Sequence, residues 1–130
     1  MKTELMYLVW VTTLTAVIWA PYIVDRLMVE GMADAVGYPA NPKPQSPWAQ
    51  RMKAAHYNAV ENLVVFAALV LVAQAAGVSN NATAMACMIY FWARVVHLVA
   101  YTFAVPLVRT LSFSVGFACQ MTLAWQLLAR

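Results

Sequence analysis

Residues 62–93 read NLVVFAALVLVAQAAGVSNNATAMACMIYFWA, and no side chain in the run carries a charge. A membrane-crossing helix needs about 20 apolar residues, so this stretch is too long for one span and long enough for parts of two. Gly77-Val78-Ser79-Asn80-Asn81 supplies the break between them. Upstream, Ser46-Pro47 has the form of a helix start, with serine at the cap and proline at the first position. The reading therefore predicts helices over about 47–76 and 82–105, the second ended or kinked by Pro106. Outward on one side, 5–24 is uncharged and predicts a helix over about 4–26; on the other, 111–129 predicts one over about 107–129. A cleaved leader is the rival reading of the first segment. Glu4 in its would-be basic flank, the length of the apolar run and the lack of a small-residue cleavage site argue for an anchor instead. Between the first two spans, Pro39, Pro42, Pro44 and Pro47 punctuate a polar loop.

Composition agrees. The 130 residues are 64% hydrophobic and 10% charged, whereas soluble domains carry about 25% charged residues. A small soluble fold could not hide that much apolar surface. The expectation is an all-α integral membrane protein, one domain over 1–130, folded as a four-transmembrane-helix antiparallel bundle. Eight Lys/Arg against five Asp/Glu give a net charge of +3. In so apolar a chain this excess orients the protein in lipid rather than binding nucleic acid. Arg26, Lys43, Arg51, Lys53 and Arg109 fall on one side, Lys2 and Arg130 on the other. The positive-inside tendency puts the connections at 25–53 and 104–110 in the cytoplasm and both termini on the other side. Cys87 and Cys119 lie in apolar runs and read as packing residues, and no metal-ligand spacing is present.

Chemistry resides in the polar residues within the spans. On a helix, Arg51, Asn58 and Asn62 fall within about 40° of one another, with Glu61 about 60° from Asn58. Arg94, His97 and Tyr101 share one face of the next span. An arginine in mid-span costs about 2.5–3.5 kcal/mol on insertion scales, so Arg94 should face the interior with a partner, and Glu61 is the expected one. A structural ion pair would account for those two alone; it does not require His97, Tyr101, Asn58 and Asn62 beside them. His56 points away from the stripe and reads as a packing histidine, and the tryptophans as interface anchors.

The blocks Ala55-His56-x-Asn58-x-x-Glu61-Asn62, Ala93-Arg94-x-x-His97-x-x-x-Tyr101 and Pro106-x-x-Arg109-Thr110 resemble the membrane-associated proteins in eicosanoid and glutathione metabolism, the MAPEG family. The likeness covers essentially the whole chain and is nearer the family's bacterial branch than its eicosanoid enzymes. It implies a homotrimer in a bacterial inner membrane, with glutathione as co-substrate held between subunits near the cytoplasmic face. Carried over, it makes Arg26, Asn58, Glu61, Arg94, His97 and Tyr101 glutathione contacts, and Arg109 with Tyr101 the groups that activate the thiol. The implied activity is a glutathione-dependent transferase or peroxidase acting on lipophilic electrophiles that arrive through membrane lipid. Ala54 and Tyr57 stand where glutathione-binding members carry arginines. Losing two charge-assisted bonds, each about 1.5–3 kcal/mol, favours the alternative of a non-catalytic structural or accessory membrane protein.

Overall fold

The computed structural model describes residues 1–129, so Arg130 and its share of the charge asymmetry lie outside the described residues. Six helices follow in order: α1 (Thr3–Val17), α2 (Trp19–Glu30), α3 (Met32–Val36), α4 (Pro47–Ala75), α5 (Asn81–Thr102) and α6 (Val108–Leu128). Among the described residues there is no strand. Four helices are long and apolar enough to cross a membrane: Thr3–Glu30, formed by α1 and α2 together, then α4, α5 and α6. The protein is an integral membrane helical bundle.

The first span is broken at Ile18, where the sequence reading has one helix. Pro21 lacks an N–H and crowds the carbonyl four residues back, at Val17, which is where α1 stops. The polar loop also holds a helix the sequence reading lacks, the five-residue α3, set off by Gly31 at φ +83°. The α5 helix ends at Thr102, earlier than the expected 105. Its terminus closes by two bonds, Val105 N–H to Ala100 O at 2.9 Å and Ala104 N–H to Tyr101 O at 3.3 Å, with Ala104 at φ +56°. That is a Schellman turn with alanine in the position that usually goes to glycine. Pro106 therefore lies in the connection rather than on the helix.

Chain direction alternates, so the connections 31–46 and 103–107 share one end, here the loop end. The 76–80 turn and the chain's first residues share the other, the turn end. α5 is central and packs against α6, α1 and α4. In lipid, burying apolar side chains gives little drive, and association depends on close packing and hydrogen bonds. The buried positions fit that: Ala49, Ala55, Ala59 and Ala73 on α4, and Ala86, Ala93 and Ala100 on α5, let backbones approach. Gly116 on α6 sits over Tyr90 and Arg94, where an added Cβ would reach the Tyr90 ring at 3.7 Å. The core is closed by Phe66 stacked on Tyr90, with ring centroids 3.8 Å apart and planes 9° apart.

Candidate functional site: a cationic cluster at the loop end

Three spans contribute to one chain of hydrogen bonds inside the bundle. Gln120 on α6 donates to Asn62 O at 3.1 Å, Asn62 Nδ2 donates to Asn58 O at 2.9 Å, and Arg94 Nη2 donates to Asn58 Oδ1 at 2.8 Å. Arg94 Nη2 also lies 3.3 Å from His97 Nδ1. Arg94 is 4% exposed and His97 2% exposed, so this guanidinium is buried at bundle depth. Among the described residues its Nε has no hydrogen-bond partner.

The expected Arg94–Glu61 pair is therefore corrected: Arg94 meets Asn58. Glu61 is exposed on the outer face of α4, whereas Asn58 and Asn62 are partly buried. The 60° of helix rotation between Glu61 and Asn58 is enough to send one side chain into the bundle and the other out of it. A neutral amide also satisfies the buried cation without a second desolvated charge.

Toward the loop end the cluster opens. His97 and Tyr101 meet edge to face at 5.7 Å, and the Arg109 guanidinium lies 4.7 Å over the Tyr101 ring. A cavity of about 160 Å³ is lined by Asn58, His97, Tyr101, Arg109, Thr110 and Phe113. A neighbouring one of about 210 Å³ shares Tyr101 and Arg109 and adds Arg51 and the 104–107 connection. Arg51 itself is committed: its Nε donates to Thr102 O at 2.9 Å, satisfying a carbonyl left open at the end of α5. Arg109 is exposed and held over the phenol by a cation–π contact, worth about 0.5–1 kcal/mol at open sites.

Of the residues singled out from sequence, Asn58, Arg94, His97, Tyr101 and Arg109 are thus brought together. Glu61 stands outside the cavity, and Arg26 is elsewhere, its Nε 3.3 Å from Ala35 O. His56 bonds through Nδ1 to the Tyr22 hydroxyl at 2.8 Å and ties α4 to α2, as a packing histidine should. Sequence reasoning passed over Gln120 and Tyr90. Gln120 and Gln126 are the two amides in the apolar run 111–129, and Gln120, nearer its middle, was the available signal. Nothing distinguishes Tyr90 from the other aromatic residues near it. Among the described residues no group of His, Cys, Asp and Glu is placed to hold a metal ion.

Known proteins are similar to this chain. Residues 8–129 match the MAPEG family. Microsomal glutathione S-transferase 1 of Homo sapiens is 30% identical over 80 residues, covering 61% of this chain and 52% of that protein. Its Mus musculus counterpart is 32% identical over the same length and coverage. The chain spans about half the length of these two relatives. No solved structure matches. A family match over nearly the whole chain is decisive: this protein belongs to the MAPEG family.

Proposed function

We propose that the protein is a membrane-embedded, glutathione-dependent transferase or peroxidase acting on lipophilic electrophiles. The observation that carries this is the Arg109 guanidinium over Tyr101 at the mouth of a cavity backed by Asn58 and His97, with Arg94 behind them. Guanidinium, phenol and amide donors suit an anionic thiol peptide, and the unpartnered Arg94 Nε is a buried donor that a carboxylate would satisfy. The names of the two relatives support the choice of thiol.

Glutathione would supply the nucleophilic sulfur. Arg109 and the Tyr101 hydroxyl would stabilise its negative charge, which favours the thiolate over the thiol at neutral pH. The thiol proton leaves to water at the loop end, and a C–S bond forms as the electrophile's leaving group departs with its electron pair. Arg94, held by Asn58, would clamp a carboxylate. Arg26, whose Nε donates to Ala35 O at 3.3 Å, lies away from Asn58 and Arg94 within one chain and would reach the thiol peptide from a neighbouring subunit of the proposed trimer.

Assembly follows from Glu61. It lies midway along α4 on an exposed row with Tyr57, Val64, Ala68 and Leu71. A carboxylate facing acyl chains at mid-span is costly, so a second copy should cover that row, and a homotrimer is the arrangement we propose. The loop end would face the cytoplasm of a bacterial cell, with the protein in its inner membrane.

Ultraviolet difference spectroscopy tests the thiol reading. Purified protein mixed with glutathione should show the thiolate absorption band, and Arg109→Ala should abolish it while the protein stays folded. Absence of binding in native-like lipid would favour the accessory-protein reading that Ala54 and Tyr57 suggest.

A further inference from the structure

Gln120 stands at the far end of the hydrogen-bond chain that holds Arg94, and the direction of every bond in that chain is forced. A guanidinium has hydrogens to give and no acceptor, so the Asn58 atom 2.8 Å from Arg94 Nη2 is Oδ1. The Asn62 atom that lies 3.3 Å from this Oδ1 and 2.9 Å from Asn58 O faces two oxygens, so it is Nδ2. That leaves Asn62 Oδ1 turned to α6. The Gln120 atom 3.4 Å from it, and 3.1 Å from Asn62 O, is then Nε2. One buried cation thus sets three amides head to tail. By the same rule His97 Nδ1, 3.3 Å from Arg94 Nη2, accepts, and the ring carries its hydrogen on Nε2.

The consequence falls on the cavity of about 160 Å³ that Asn58 lines. Asn58 spends its side-chain oxygen on Arg94 and Asn62, and its Nδ2 has no partner among the described residues. What Asn58 can offer a ligand is therefore a donor. An unpinned Asn62 could turn over and present Oδ1 to Asn58, and Asn58 would then lose its fixed sense. Gln120 prevents this from outside the cavity: it is 3% exposed, on another span, and does not line the wall. In lipid no water is at hand to replace its bond, so the restraint persists. We propose that Gln120 is a positioning residue. Through Asn62 it holds Asn58 with its oxygen on Arg94 and its Nδ2 free for an acceptor, so that the inner wall suits a carboxylate better than a neutral amide. The identity of the ligand rests on the proposed thiol site; the relay of amides does not.

Two variants interrupt the relay at different links: Gln120→Met keeps the length of the side chain without its donor, and Asn62→Leu removes the middle amide. Each should weaken glutathione binding by about tenfold, the scale of one hydrogen bond to a charged group. Turnover at saturating glutathione should stay within about twofold of wild type, because the relay holds the ligand and does not touch the sulfur. Links in series are not additive, so Q120M/N62L should bind no more weakly than N62L. A readout without ligand is the Arg94 Nε–Hε cross-peak in protein labelled with ¹⁵N-arginine, assigned by its loss in Arg94→Lys. It should move in both variants and stay in place in Ser79→Ala at the turn end. Unchanged affinity in Q120M overturns the proposal, and so do additive losses, which would mark two separate packing defects. If wild-type protein binds no glutathione, the thiol site falls, and the cross-peak decides the relay alone: a peak unmoved in Q120M means that Gln120 positions nothing.

Discussion

The two ends of the bundle solve the same problem, turning a chain between two spans, with different materials. At the turn end the polar side chains of Glu4, Ser79, Asn80 and Thr83 are committed. Gly77 takes φ +72°, Val78 N–H reaches Ala73 O at 2.8 Å, and Asn80 and Thr83 cap the start of α5 reciprocally. Glu4, from the first helix, accepts from the Ser79 hydroxyl at 2.6 Å and from the Thr83 hydroxyl at 3.0 Å. At the loop end the turn is made with Ala104 and Leu107, both at positive φ, and Arg109 is left exposed beside two cavities. Strain and exposed charge gather at the end where the proposed thiol peptide would bind, and the other end holds the helices in place.

If that division is right, the largest effect on activity should come from the loop end alone. Arg109→Ala should lower turnover of an aryl halide with glutathione by about 10²-fold, the loss seen on removing one electrostatic donor. Ser79→Ala at the turn end should change turnover by less than about twofold, since it contributes no transition-state contact. Equal losses in the two variants, in steady-state assays of folded protein, would erase the functional distinction between the ends.

The second expectation concerns the buried link. Asn58→Ala strips the Arg94 guanidinium of its 2.8 Å acceptor and should destabilise by about 2 kcal/mol, the range for a hydrogen bond to a charged group. In thermal unfolding, Asn58 and Arg94 should couple in a double-mutant cycle, whereas Glu61→Ala and Arg94→Ala should add. Coupling of Glu61 with Arg94 would restore the ion pair that the structure removes.

That pair shows how far the sequence could be read. The spans were legible because charge-free length is a one-dimensional property. The shared face of Arg94, His97 and Tyr101 was legible because it depends only on helical period. Which of Asn58 and Glu61 met Arg94 was not, because it turns on about 60° of rotation fixed by the neighbours of α4. The break at Ile18 had a local signal in Pro21. The early end of α5 had none, since Ala104 does not announce a left-handed residue as Gly77 does. Arg26 could be seen to follow the first span, yet the cavity it lines depends on where α3 and Gln45 fold back.

Glu4 gives a smaller effect than Asn58 because its partners have alternatives. The Thr83 hydroxyl also donates to Asn80 O at 2.9 Å, so Glu4→Ala costs chiefly the Ser79 bond and the favourable charge at the N-terminus of α5. A loss of about 1–2 kcal/mol in detergent unfolding is expected, with glutathione affinity unmoved. A change in affinity would mean that the ends communicate.

The smallest effects should distinguish the two turns by sign. Ala104 and Gly77 occupy the same place in two Schellman motifs, at φ +56° and +72°. A side chain in that region costs about 1–2 kcal/mol, and glycine gives back part of the gain through its freer unfolded chain. Ala104→Gly should therefore stabilise by about 0.5–1 kcal/mol, and Gly77→Ala should destabilise by about the same amount. A Cβ built on Gly77 meets no atom within 4 Å, so that loss would be backbone strain and nothing else. If Ala104→Gly stabilises the fold yet lowers turnover, the strain in the 103–107 connection helps to hold Arg109 over Tyr101. If stability and turnover rise together, the turn only joins two spans, and the difference between the ends lies in their charges.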